Sequence, residues 1–184
     1  MRALVAGASL LAACSPIASF RPAAGFVPGN SLEFGLGAVT ISRRPYVIEE
    51  PRAIGQFWVS SEQSPSRNLT ILGAFDDQAL SLGASLRLRF VRTHAFVAAV
   101  DGELGYLFAG LSLPLAVRVV DEVWLYAGPR LGNWGVDPLF GAPIGASVLV
   151  YDGFQLRGEW QRSYQDFKVY NRRDHFGIAA AYQF

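Results

Sequence analysis

Charged residues in this chain recur at a spacing of two: Arg87 and Arg89, Asp101 and Glu103, Arg157 and Glu159. In an extended strand, residues i and i+2 share a face, so each pair points the same way. Arg118 and Arg130 lie in segments with the same alternation, which brings the set to five basic and three acidic groups. Buried together, such groups must pair or hold water, because an isolated buried charge is costly. Two kinds of chemistry follow. The charges could form the selectivity lining of a pore, or a polar core that fills a closed lumen and holds its register. The second is expected if the enclosing structure is narrow.

The rest of the reactive inventory is small. His94 and His175 are the only histidines and Cys14 the only cysteine, which excludes an intramolecular disulfide, a thiolate metal cluster and a His-rich metal site. His175 stands beside Asp174, with Arg172 and Arg173 adjacent. Neighbours in a strand face opposite ways, and no serine lies at short spacing, so acid–base or nucleophilic catalysis is not expected there. His94, in the connection after Val91-Arg92-Thr93, reads as a solvated turn residue. No cofactor and no metal is implied, and the chain is not expected to be an enzyme. A net charge of +1 leaves no electrostatic footprint for nucleic acid.

The elements that must position these charges are strands. From residue 31 onward the dominant period is two, and no long segment carries the helical period of 3.6. Leu80, Leu82, Ala84, Leu86, Leu88 and Phe90 fall on one face, against Ser81, Gly83, Ser85, Arg87 and Arg89 on the other. Leu111 to Val119, Phe154 to Gln161 and His175 to Phe184 alternate in the same way. Further strands are expected near 32–41, 53–61, 68–76, 95–107, 123–134 and 141–151. In 123–132 the parity that puts Arg130 inside also puts Trp124 and Tyr126 inside. Pro114 and Pro129 each remove a ladder donor, so bulges or displaced strand ends are expected at both. Val120-Asp121-Glu122 and Tyr151-Asp152-Gly153 read as tight turns, and 42–52, 134–140 and 165–174 as longer loops.

About ten strands, or eight, with alternating connections predict an all-β fold, a closed antiparallel up-and-down barrel. Which face points outward depends on the non-apolar face. A soluble barrel of lipocalin type needs a solvated exterior rich in Lys, Glu, Asp and Thr. Here that face is mostly Gly, Ser and Ala with a few charges, which suits a narrow, filled lumen. The other face carries Leu, Val and Phe, with aromatic residues near several ends, as in a lipid-facing wall with an aromatic girdle. Charged residues make up 17% of the chain, below the roughly 25% of soluble domains. A transmembrane barrel is the expectation.

Phe176-x-Ile178-x-Ala180-x-Tyr182-x-Phe184 ends the chain flush with an aromatic residue. With the strands before it, this resembles the small bacterial outer-membrane β-barrel proteins over residues 31–184. The resemblance implies residence in the outer membrane, contact with its lipid, and recognition of that last strand by the barrel-assembly machinery. At the other end, Met1-Arg2 and the apolar run Ala3 to Ala13 have the grammar of an export signal. Leu11-Ala12-Ala13-Cys14 resembles the lipobox of bacterial lipoproteins, which implies a signal peptide over 1–13 and lipidation of Cys14. Residues 14–30 then form the lipidated N-terminus and tether, and 31–184 the barrel. The expected role is non-enzymatic, structural or in surface interaction, with an unknown extracellular ligand. A small porin is the alternative, and a soluble lipocalin-like binding barrel a remote one.

Overall fold

The computed structural model describes residues 29–44, 47–48, 51–75, 80–106, 108–134, 137–165 and 172–184. The expected export signal, Cys14 and most of the expected tether lie outside the described residues. Thirteen strand segments follow in order: β1 (Ser31–Arg44), β2 (Val47–Ile48), β3 (Arg52–Ser64), β4 (Arg67–Phe75), β5 (Leu80–Arg92), β6 (Phe96–Gly105), β7 (Phe108–Ser112), β8 (Leu115–Val120), β9 (Val123–Ala127), β10 (Arg130–Trp134), β11 (Asp137–Tyr151), β12 (Phe154–Gln165) and β13 (Arg172–Gln183).

They make ten staves of one closed antiparallel barrel. β7 and β8 are one stave broken at Leu113-Pro114, β9 and β10 another broken at Gly128-Pro129, and β2 is a short extension paired to β1. Each stave pairs with the next, and β13 returns to β1 in unbroken register from Ser31↔Gln183 to Ser42↔Arg172. Asn30 and Phe184 extend this seam with reciprocal backbone bonds of 3.1 and 3.0 Å. Closure leaves no sheet edge, the condition a strand structure must meet in lipid.

Both termini of the barrel lie on one rim with the tight turns at 65–66, 93–95, 121–122 and 152–153. The ladder shifts register beside each of these turns, at Glu62/Ser64, Arg89/Val91, Arg118/Val120 and Leu149/Tyr151. Such bulges bend a strand sharply enough to turn at a barrel rim. The C-terminal ends of β1, β4, β6, β10 and β12 lie at the opposite rim. Of the expected loop at 134–140, Trp134 and residues 137–140 are instead strand, with Trp134 to Arg130 paired to Asp137 to Gly141. Pro138 suggests a loop in sequence, but it faces Asn133 as a ladder partner.

The side-chain pattern is inside out relative to a soluble protein. Ile178 is 69% exposed and Leu104 70%, whereas Thr70, Ser147 and Gln155 are fully buried. An apolar exterior of this extent would associate in water and is at home in hydrocarbon. A lipocalin-like barrel would show the opposite facing, so that alternative fails.

The proline expectation holds in a specific form. Pro114 and Pro129 break adjacent staves at the same level, and Leu113 N–H still donates to Pro129 O at 3.0 Å. Only glycine fits at 128, because a Cβ there would sit 2.9 Å from Pro114 Cα.

Candidate functional site: the barrel lumen

The inward parity of the staves gathers the charges expected from sequence. Arg87 and Asp101 are register partners on β5 and β6. Arg87 donates to Asp101 Oδ2 from Nε at 3.0 Å and Nη2 at 2.5 Å, and both side chains are almost wholly buried. Arg130 on β10 pairs with Glu103 on β6 across the β7 stave. Arg157 on β12 reaches Glu33 on β1 at 2.7 Å and donates to Gln155 Oε1 at 3.1 Å. Arg89 meets Glu62 at 3.2 Å. Glu159 takes a hydrogen bond of 3.0 Å from the Tyr126 hydroxyl. Each guanidinium of these pairs satisfies a carboxylate, which is what burial demands.

Two partners, Glu33 and Glu62, do not stand among the charges expected from sequence. Glu33 lies on the inward parity of the first strand, a signal available by extending the alternation through Ser31. Glu62 lies one residue past the expected end of the 53–61 segment, and it also receives Arg92 at 3.5 Å and the Gly29 N–H at 2.7 Å. Tyr126 was placed inside by the parity argument on Arg130, and it is inside, as is Trp124.

Arg118 departs from the expectation of a luminal partner. Its parity is inward, but it stands at the rim turn, where it bonds the Asp121 carbonyl, contacts Asp121 Oδ1 at 3.3 Å and meets His94 Nε2 at 2.7 Å. Alternation fixes which face a residue takes and says nothing about its height along the barrel. His94 is exposed in its turn as expected. His175 points inward, fully buried, while Asp174 points outward to Arg162. Neighbouring parity therefore separates the two side chains.

Apolar side chains close the remaining space. Trp58, Leu72, Phe108, Leu139 and Ala179 form a layer within the lumen. The tip of the Phe108 ring occupies the space beside Gly83 and Gly105, whose missing side chains leave room for it. Nearer the termini, Val97, Ala116, Trp124 and Tyr126 form a second cluster. A cavity of about 30 Å³ remains beside Phe108, Arg130, Leu139, Gln161 and Ser163. That suits about two water molecules. Gln161 Oε1 and Ser163 Oγ reach no protein partner among the described residues, and both side chains are buried.

Outside, Phe176, Ile178, Tyr182 and Phe184 form an exposed stripe with Ala180 between them. Tyr182 stacks on Phe184 with ring centroids 6.3 Å apart, and Trp160 packs against Phe176 at 6.4 Å. Aromatic pairs therefore mark the last two staves near both ends.

No protein-family model and no curated protein sequence matches the chain. Its architecture is similar to solved structures of low identity. An outer membrane channel from Pseudomonas putida F1 superposes with a TM-score of 0.58 at 10% identity, covering 86% of this chain and 97% of that one. The NanC porin gives 0.55 at 6% identity, covering 83% and 100%. The translocator domain of autotransporter NalP from Neisseria meningitidis gives 0.53 at 10% identity, covering 100% and 94%. Ten closed antiparallel staves with an apolar exterior and a polar, packed interior have the fold of an outer-membrane β-barrel.

Proposed function

We propose that the chain is a non-enzymatic barrel of the bacterial outer membrane with both barrel termini on the periplasmic side, a membrane-fixed scaffold whose opposite, outer rim meets a partner outside the cell. One observation carries this reading: the lumen is occupied by its own ion pairs and by an apolar layer centred on Phe108. Charges engaged with one another are not available to draw ions through, and an apolar layer opposes a continuous column of water. A channel is the second reading, supported by the likeness to proteins described as a channel and a porin. Planar-bilayer recording separates the two. The purified chain should give no stable openings, and sustained large conductance would make the channel reading primary.

The assignment also includes the chain's two ends. Residues 1–13 act as a lipoprotein-type signal, Cys14 carries the lipid, 14–30 tether it, and the barrel-assembly machinery recognises the stripe Phe176 to Phe184. Labelled palmitate should enter the wild type and not the Cys14→Ser variant. An unlabelled wild type would remove the lipoprotein assignment and leave the barrel intact.

A further inference from the structure

We propose that Arg162, Arg172 and Asp174, on the outer face of β12 and β13, form a binding site for the phosphate of a lipid headgroup in the outer leaflet. This rests on the membrane-barrel reading. All three residues have outward parity, sharing it with Trp160, Phe176 and Ile178. Arg162 donates to Asp174 through Nε at 2.8 Å and Nη2 at 3.3 Å, and Arg172 Nε lies 3.6 Å from Asp174 Oδ2. One carboxylate thus serves two guanidinium groups, and the cluster keeps a net positive charge. Its accessible part is cationic. The side chains of Arg162 and Arg172 are 37% and 44% exposed, while that of Asp174 is 14%.

Height along the wall places the cluster at the headgroups. Asp174 stands ten residue steps along the chain from Phe184, on the terminal rim. At about 3.3 Å per residue and a tilt of about 40°, they climb about 25 Å, the height of the apolar band of such barrels. Below the cluster Arg162 lies 5.2 Å from the Trp160 ring, which anchors its stem against the girdle. Among the described residues the charge is local. At the same rim, Phe75, Leu104, Tyr106 and Phe140 are exposed on the outer faces of β4, the β6 end and β11. A neutral headgroup would leave the excess positive charge unmatched at the edge of a low-dielectric region. A phosphate supplies the missing charge, and its oxygens fit the guanidinium fork.

The test uses the full chain in phosphatidylcholine nanodiscs containing phosphatidic acid, with native mass spectrometry counting the lipids retained on release. The wild type should retain phosphatidic acid in preference to phosphatidylcholine. Arg162→Gln and Arg172→Gln should each lower that retention about fivefold. Asp174→Asn should raise it, because the competing carboxylate is gone, and inorganic phosphate should not displace the lipid. Absence of preference in the wild type, reduced retention in Asp174→Asn, or displacement by inorganic phosphate would overturn the site. Arg172→Gln guards against misfolding, since among the described residues the one ion pair of Arg172 is the long contact to Asp174. Heat-modifiable gel mobility is read in parallel. A wild type lacking it would instead remove the membrane-barrel reading on which the site rests.

Discussion

Replacing Glu33 with Gln should destabilise the barrel far more than its small change in shape suggests. Glu33 is on the first stave and Arg157 on the ninth, and the pair spans β13, where the barrel closes. At 2.7 Å with an effective dielectric of about 20, the attraction is about 6 kcal/mol. Gln keeps a neutral hydrogen bond worth about 1 kcal/mol, and it leaves the Arg157 guanidinium buried without its countercharge. A net loss of about 3–5 kcal/mol is expected, the usual result of removing one partner from a buried pair. Urea titration of the refolded barrel, followed by heat-modifiable mobility, measures it. The double variant Glu33→Gln/Arg157→Gln should recover much of the loss, because no charge then remains buried alone. A Glu33→Gln variant within about 1 kcal/mol of wild type, or a double variant worse than the sum of the singles, would refute the account of a paired core.

Ile178→Arg should cost roughly 2–4 kcal/mol on the lipid face, while Ile178→Leu should cost under about 1.5; the yield of heat-modifiable barrel in membrane fractions compares them. Phe108→Ala should lose about 3–5 kcal/mol and expose Gly83 and Gly105 to the lumen, so bilayer recording should detect openings absent from the wild type. Arg118→Ala should change stability by about 1 kcal/mol or less, since its Asp121 partner lies at an exposed turn; a larger loss would return Arg118 to the luminal network. Deleting Phe184 should lower the assembled yield in cells more than refolding in detergent, and an equal drop in both would assign its effect to lost packing alone.

Much of the barrel is legible in the sequence because its two faces differ so sharply. The alternation from Leu80 to Arg89 and from His175 to Phe184 identifies both the strand and its outward side. Period two loses force where both faces are apolar. Leu69 and Ile71 face lipid while Leu72 and Ala74 face inward, so the apolar layer around Trp58, Leu72, Phe108 and Leu139 has no signature in the pattern. Pairing is similarly hidden. Arg87 and Asp101 become partners only through the β5–β6 register, and Arg157 meets Glu33 across 124 positions of sequence. Height along the axis, which separates Arg118 from the luminal charges, depends on where each turn falls.

The proline breaks make one side of the wall a seam with its own dynamics. Pro114, Pro129 and Pro143 sit on three consecutive staves, and the bonds from Leu113 to Pro129 and from Gly128 to Pro143 bridge them there. None of these prolines has an amide proton, so the region depends on fewer rungs than the continuous β1–β13 closure. Local breathing of the barrel should therefore begin between the sixth and eighth staves. Its outward side is hydrocarbon, so solvent that exchanges the Leu113 and Gly128 amides has to arrive through the lumen. Hydrogen exchange at those two positions would then report how often the packed interior admits water, with no current flowing at all.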